Sequence, residues 1–175
     1  MESLNREDVE RLMFFDQARE TAEREHKANP QDPLVLTKWG GALLELSQFR
    51  QGADAYSMIE EAIEKFQKAL KIDEERHDAL WCLGNAYTTQ GFLSPDAPAA
   101  HSLFTQAADC FKKAVEIAPA NETYKRSLEM TAKAPATAKA PAISDFWYDV
   151  GGWATLLAIG FGVAALAQRG APATA

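Results

Sequence analysis

From the amino end to about residue 133, apolar side chains recur at spacings of three and four, and no stretch alternates apolar and polar residues with period two. A period near 3.6 marks helices with one buried face, so this region is expected to be all-α. Six helices can be placed. The first runs from about Arg6 to Ala28, capped by Asn5, with Val9, Leu12, Phe15, Ala18 and Ala22 on one face and Pro30 beyond its end. The second opens at Asp32-Pro33, a cap followed by proline at the first helical position, and continues to about Phe49. The third covers roughly Asp54 to Ile72 on a stripe of Ile59, Ala62, Ile63, Phe66, Ala69 and Leu70. A fourth spans Asp78 to about Gln90. A fifth opens at Ser94-Pro95-Asp96 and carries Leu103, Ala107, Phe111, Ala114 and Val115 to a stop at Pro119. Asn121 caps a sixth that ends near Ala134.

Beyond these helices the pattern changes twice. Residues 134–145 are rich in Ala and Pro, with prolines at 135 and 141, and read as an extended linker reaching no more than roughly 35 Å. The 19 residues Val150–Gln168 then contain no Lys, Arg, Asp, Glu or His. As a helix they span roughly 28 Å, close to the thickness of a bilayer's hydrocarbon core, and Trp147, Tyr148 and Trp153 suit its interface. One C-terminal transmembrane helix over residues 146–168 is therefore expected, inserted after translation as a tail anchor, with a short tail at 169–175. The start, Met1-Glu2-Ser3-Leu4-Asn5-Arg6-Glu7-Asp8, has neither the basic nor the apolar segment of a signal peptide, which places residues 1–133 in the cytosol. Ala154, Ala158 and Gly162 recur every four residues, a face on which another membrane helix could pack closely or plain filler in an anchor.

Charge narrows the partners. Residues 1–133 hold 16 Lys and Arg against 23 Asp and Glu, 16 − 23 = −7, and the remaining segment nets zero. This sign disfavours nucleic acid and favours a basic ligand. Cys82 and Cys110 form no CxxC motif and are expected to be reduced and inert. His26, His77 and His101 are scattered; no triad, metal-ligand spacing or glycine-rich phosphate loop appears, so neither an enzyme nor a cofactor is expected.

The chain also repeats itself. Trp39 matches Trp81, 81 − 39 = 42 residues on, and Ala62, Phe66 and Ala69 match Ala107, Phe111 and Ala114, 107 − 62 = 45 residues on. In the second copy, Leu83-Gly84-x-x-Tyr87 followed by Ala107, Phe111, Ala114 and Pro119 resembles the tetratricopeptide pattern. The matched Ala42, with Ala62, Ala69, Gly84, Ala107 and Ala114, reads as helix packing. The step from the glycine position to the first alanine is 62 − 42 = 20 residues in copy one and 107 − 84 = 23 in copy two, longer than the usual twelve, so each hairpin is elongated. Two repeats leave both ends of the stack open, which makes the first and sixth helices caps.

Five stretches in order carry a closer resemblance: Trp39-Gly40-Gly41, Leu43-Leu44-Glu45-Leu46-Ser47-Gln48-Phe49, Trp81-Cys82-Leu83-Gly84-Asn85-Ala86-Tyr87-Thr88, Ser127-Leu128-Glu129-Met130-Thr131-Ala132-Lys133-Ala134-Pro135, and Tyr148-Asp149-x-x-Gly152-Trp153. Together they resemble the plant-type twenty-kilodalton preprotein receptor of the mitochondrial outer-membrane translocase, over essentially the whole chain. The resemblance implies a tail-anchored receptor that binds N-terminal presequences of cytosolic preproteins and passes them to the import pore, alongside other translocase subunits. Presequences are Arg-rich, acid-poor amphipathic helices, which suit an apolar furrow in an acidic surface. With Gly84 at the eighth repeat position, Trp81, Asn85 and Thr88 fall where the tetratricopeptide repeat faces its concave side, and Leu36, Trp39, Leu43 and Leu46 match them in copy one. The apolar members would touch a presequence and Asn85 and Thr88 would hydrogen-bond it; equally, the tryptophans could fill the core. A helix burying ~300 Å² of apolar surface gains roughly 8 kcal/mol gross, most of it removed by the cost of association, so loose binding is expected. The rival of another class is a tail-anchored tetratricopeptide adaptor for organelle fission or for chaperones. Chaperone-tail capture needs basic residues on the concave face, and this chain places tryptophan and leucine there.

Overall fold

The computed structural model describes residues 6–133, all within one unit that spans residues 1–139. These residues form six α-helices and, among themselves, no strand: α1 (Arg6–Ala28), α2 (Pro33–Ser47), α3 (Gly52–Ile72), α4 (His77–Leu93), α5 (Ala97–Ile117) and α6 (Glu122–Lys133). The boundaries follow from local chemistry. Asp32 caps α2, its carboxylate accepting from the Leu34 and Val35 amides at 2.9 and 3.3 Å, with Pro33 as the first helical residue. Asp96 caps α5 in the same way through the Ala99 amide at 3.0 Å. Asn121 caps α6, accepting from the Thr123 and Tyr124 amides. The Asn5 cap expected for α1 lies outside the described residues. No described helix is long and apolar enough to cross a membrane. The linker, the anchor expected at residues 146–168 and its Ala154, Ala158 and Gly162 face also lie outside the described residues.

The helices pack chiefly with their chain neighbours. The most extensive contacts join α4 to α5 and α2 to α3, which makes two helical hairpins; α1 lies on α2, α3 on α4 and α6 on α5. The hairpins are held by aromatic wedges. Phe66 of α3 and Phe111 of α5 are both essentially inaccessible, and each packs against a glycine of the partner helix. A Cβ on Gly40 would stand 2.7 Å from the Phe66 ring, and one on Gly84 would stand 2.6 Å from the Phe111 ring. Only a residue without a side chain lets the ring of one helix pack this closely on the backbone of the other. Ala62, Ala69, Ala107 and Ala114, each fully buried, extend the contact along α3 and α5.

These wedges correct the repeat register. Gly40, not Ala42, is the counterpart of Gly84, an offset of 84 − 40 = 44 rather than the 42 suggested by the tryptophans. The spacing from that glycine to the first alanine is then 62 − 40 = 22 in copy one and 107 − 84 = 23 in copy two, so the hairpins are elongated almost equally. Trp39 corresponds to Leu83, and Trp81 to Thr37.

Candidate functional site

α2 and α4 are the inner helices of the two hairpins, and both are buried nearly all round. From Ala79 to Gly91 only Tyr87 retains substantial exposure. The seven residues expected to line a furrow divide accordingly. Leu36, Leu43 and Leu46 are 1%, 2% and 3% exposed, and Leu36 packs with Ala69, Ala79 and Leu70 where α2, α3 and α4 meet. These three leucines are core, because α2 is enclosed by α1 and α3. Trp39 alone is half-exposed. It sits between α1 and α3, its ring 5.5 Å from that of His26 and capped by the Lys65 ammonium 4.2 Å from its centroid, a cation–π contact. The two tryptophans therefore occupy different environments, as the corrected register requires.

Trp81, Asn85 and Thr88 do fall together on α4, at spacings of four and three that place them on one face. That face is covered rather than open, all three residues being 4% exposed or less. At its N-terminal end the cover is α6. Trp81 Nε1 donates to Ser127 Oγ at 2.9 Å, the Trp81 and Tyr124 rings lie 5.7 Å apart, and the Tyr124 hydroxyl is hydrogen-bonded to His77 Nδ1 at 2.9 Å. Burial drives the Tyr124 hydroxyl pKa well above its ordinary value, so it stays protonated. Thr88 Oγ1 donates to the Gly84 carbonyl within its own helix. The Asn85 side-chain amide has no partner on either its oxygen or its nitrogen.

A second polar centre was not foreseen. Glu45 of α2, 1% exposed, accepts from Arg11 Nη2 of α1 at 3.0 Å and from Gln48 Nε2 at 3.2 Å. Burial raises its pKa to about 7 against the opposing pull of Arg11. The only signal in the sequence was a single acid inside the apolar run from Gly41 to Leu46. Cys82 is buried and Cys110 half-buried; both thiols are free, and burial raises both pKa values, that of Cys110 to about 11, which suppresses the reactive thiolate. Among the described residues no three His, Cys, Asp or Glu side chains are grouped to hold a metal.

Fold and candidate site thus define a helical-hairpin protein with flanking helices, whose most distinctive chemistry is a hidden polar face on an inner helix. The family described as plant-specific mitochondrial import receptor subunit TOM20 matches residues 9–140. Mitochondrial import receptor subunit TOM20-3 of Arabidopsis thaliana is 51% identical over 128 residues, which cover 73% of this chain and 63% of that protein. TOM20-4 of the same plant is 44% identical over 162 residues, 84% of this chain and 86% of that protein; TOM20-1 is 47% identical over 127 residues, 73% and 68%. The chain belongs to the plant-specific mitochondrial import receptor subunit TOM20 family. Its match to TOM20-3 spans less than two thirds of that relative's length.

Proposed function

We propose that this chain is a receptor subunit of the mitochondrial outer-membrane protein translocase. Its tetratricopeptide-like domain, residues 1–133, faces the cytosol, binds N-terminal presequences of preproteins and passes them to the import pore. Residues 134–145 tether that domain, residues 146–168 cross the outer membrane once as an anchor, and residues 169–175 lie beyond it. Its partners are presequence peptides, other translocase subunits and the lipid bilayer. The observation that carries this reading is that residues 9–140, matched to a family of import receptors, contain nearly the whole helical domain. The domain's net charge of −7 supports it, since presequences are basic. So does the repeated glycine–phenylalanine wedge, which makes two like hairpins of the kind tetratricopeptide receptors stack.

Ligand contact belongs to the α4 face of Trp81, Asn85 and Thr88, reached when α6 shifts, with Trp39 as a separate accessible aromatic. Leu36 packs against Ala79 of α4 from the core, and Leu43 and Leu46 are buried further along α2. The test is titration of a fluorescent Arg-rich amphipathic presequence peptide against the full chain, beside the same peptide with its arginines replaced by glutamate. Loose, saturable binding of the first and none of the second is expected. Equal affinity for both, or for neither, would remove the presequence reading.

A further inference from the structure

The contacts between helices fix which termini of residues 6–133 share an end. Arg11, near the start of α1, reaches Glu45 near the close of α2, and Gly91 in the last turn of α4 packs against Phe104 in the first half of α5. α6 runs parallel to α4, since its Tyr124 and Ser127 meet His77 and Trp81 within the first turns of both. The start of α1, the α2–α3 and α4–α5 connections and the close of α6 at Lys133 therefore stand at one end of the helix stack, and the α1–α2, α3–α4 and α5–α6 connections at the other. The Lys133 end leaves large apolar side chains in water. Met13 is 67% exposed, Val9, one turn before it on the same flank of α1, is 39% exposed, and Leu93, the last residue of α4, is 36% exposed.

The two ends differ in charge. Leu34, Ile72 and Ile117 are exposed at the far end too, but its connections, residues 29–32, 73–76 and 118–121, hold Asp32, Asp73, Glu74 and Glu75 against Arg76, 1 − 4 = −3. At the Lys133 end, residues 48–51 and 94–96 hold only Arg50 and Asp96, 1 − 1 = 0. A zwitterionic or anionic phospholipid surface accepts the neutral end and repels the acidic one. The length of chain beyond the described helices points the same way: residues 134–145 alone separate Lys133 from the membrane crossing proposed above, a reach of roughly 35 Å at most. We propose that the Lys133 end of the helical domain rests on the outer leaflet of the membrane, with Val9, Met13 and Leu93 entering the headgroup layer. This rests on the anchored-receptor reading and adds a second, peripheral lipid contact that sets the domain's orientation. The acidic end, and Trp81 in the first turns of α4, then face the cytosol, where basic ligands arrive.

The experiment is photo-crosslinking of the full chain in vesicles of phosphatidylcholine, phosphatidylethanolamine and phosphatidylinositol. Benzoylphenylalanine is placed in turn at Met13, Leu93, Ile72 and Ile117, all exposed positions where the fold tolerates a large side chain, with circular dichroism as the check on folding. After illumination, mass spectrometry should find several-fold more phospholipid adduct from positions 13 and 93 than from positions 72 and 117. Equal yields from all four positions would overturn the orientation, and an absence of lipid adducts at 13 and 93 would overturn the contact. Crosslinks from position 13 to a second copy of the chain in place of lipid would overturn it as well, by making this end a self-association surface. A wash in alkaline carbonate separates this proposal from the one beneath it. Chain that resists the wash yet yields no adducts at 13 and 93 sinks the lipid contact alone, whereas chain that the wash removes sinks the anchor and the contact together.

Discussion

Glu45 is a carboxyl group held between α1 and α2 with one exposed cation, Arg11, for company. Its folded pKa of about 7 stands above the ordinary carboxylate value because burial penalises the charge more than Arg11 and Gln48 relieve it. The linkage has a definite sign. Between the unfolded value near 4.5 and about 7 the folded chain binds the extra proton, so stability conferred by this group is full below the lower value and falls as pH rises towards the upper one. The difference corresponds to about 3 kcal/mol, an order-of-magnitude figure. Urea denaturation at half-unit steps from pH 5 to 8 should show the wild-type midpoint falling with pH more steeply than that of Glu45→Gln, which keeps the shape of the side chain and removes the ionisation. Parallel curves for the two proteins would show that Glu45 does not titrate in this window. α1 is thus fastened to α2 partly through an ion pair whose carboxylate burial opposes.

At the scale of elements, the hairpins depend on two glycines that helix propensity alone would replace. Alanine is favoured over glycine in a helix interior by about 1 kcal/mol, so an exposed Gly→Ala change would stabilise. At Gly84 the new methyl would stand 2.6 Å from the Phe111 ring, which is fully enclosed and has nowhere to move. Overpacking of this kind costs about 1–3 kcal/mol and outweighs the propensity gain. Gly84→Ala, and Gly40→Ala against Phe66, should each lower the denaturation midpoint, whereas Gly84→Ala combined with Phe111→Leu should recover part of the loss. A stabilised single variant would contradict the close approach. The same wedges explain what the sequence made legible. All six helices were readable from the 3.6-residue spacing of apolar side chains, and where caps and prolines stand, at Asp32-Pro33, Asp96, Pro119 and Asn121, the ends were too; α3 and α4 begin without a side-chain cap, at Gly52 rather than Asp54 and at His77, and α4 runs to Leu93 rather than Gln90. The register was misread because two tryptophans looked equivalent. A shift of two residues turns a helix by about 200°, which moved Trp39 from the expected inner face to the groove between α1 and α3. The cover on Trp81 was not legible either, since Tyr124 and Ser127 are buried through hydrogen bonds to His77 and Trp81 of α4, partners 47 and 46 residues away in the chain.

For the molecule as a whole, the excess of acid matters more than any single ion pair. Many of the basic side chains are already matched within their own helices, as in Arg6–Glu10, Lys27–Glu23, Lys68–Glu64 and Lys125–Glu122. Such exposed pairs contribute little to stability, but they leave the net −7 to be carried by other exposed carboxylates, among them Glu60, Glu74, Glu75 and Glu116. A basic peptide approaching the domain feels this field over a Debye length of about 10 Å at 0.1 M salt and about 3 Å at 1 M. Steering of that kind acts on association, whereas short-range contacts at the proposed α4 site would govern dissociation. Stopped-flow measurements with an Arg-rich presequence peptide should therefore show the association rate falling several-fold between 0.1 and 1 M NaCl while the dissociation rate changes much less. An association rate indifferent to salt would mean that the acidic surface keeps the protein soluble and has no part in gathering its ligand.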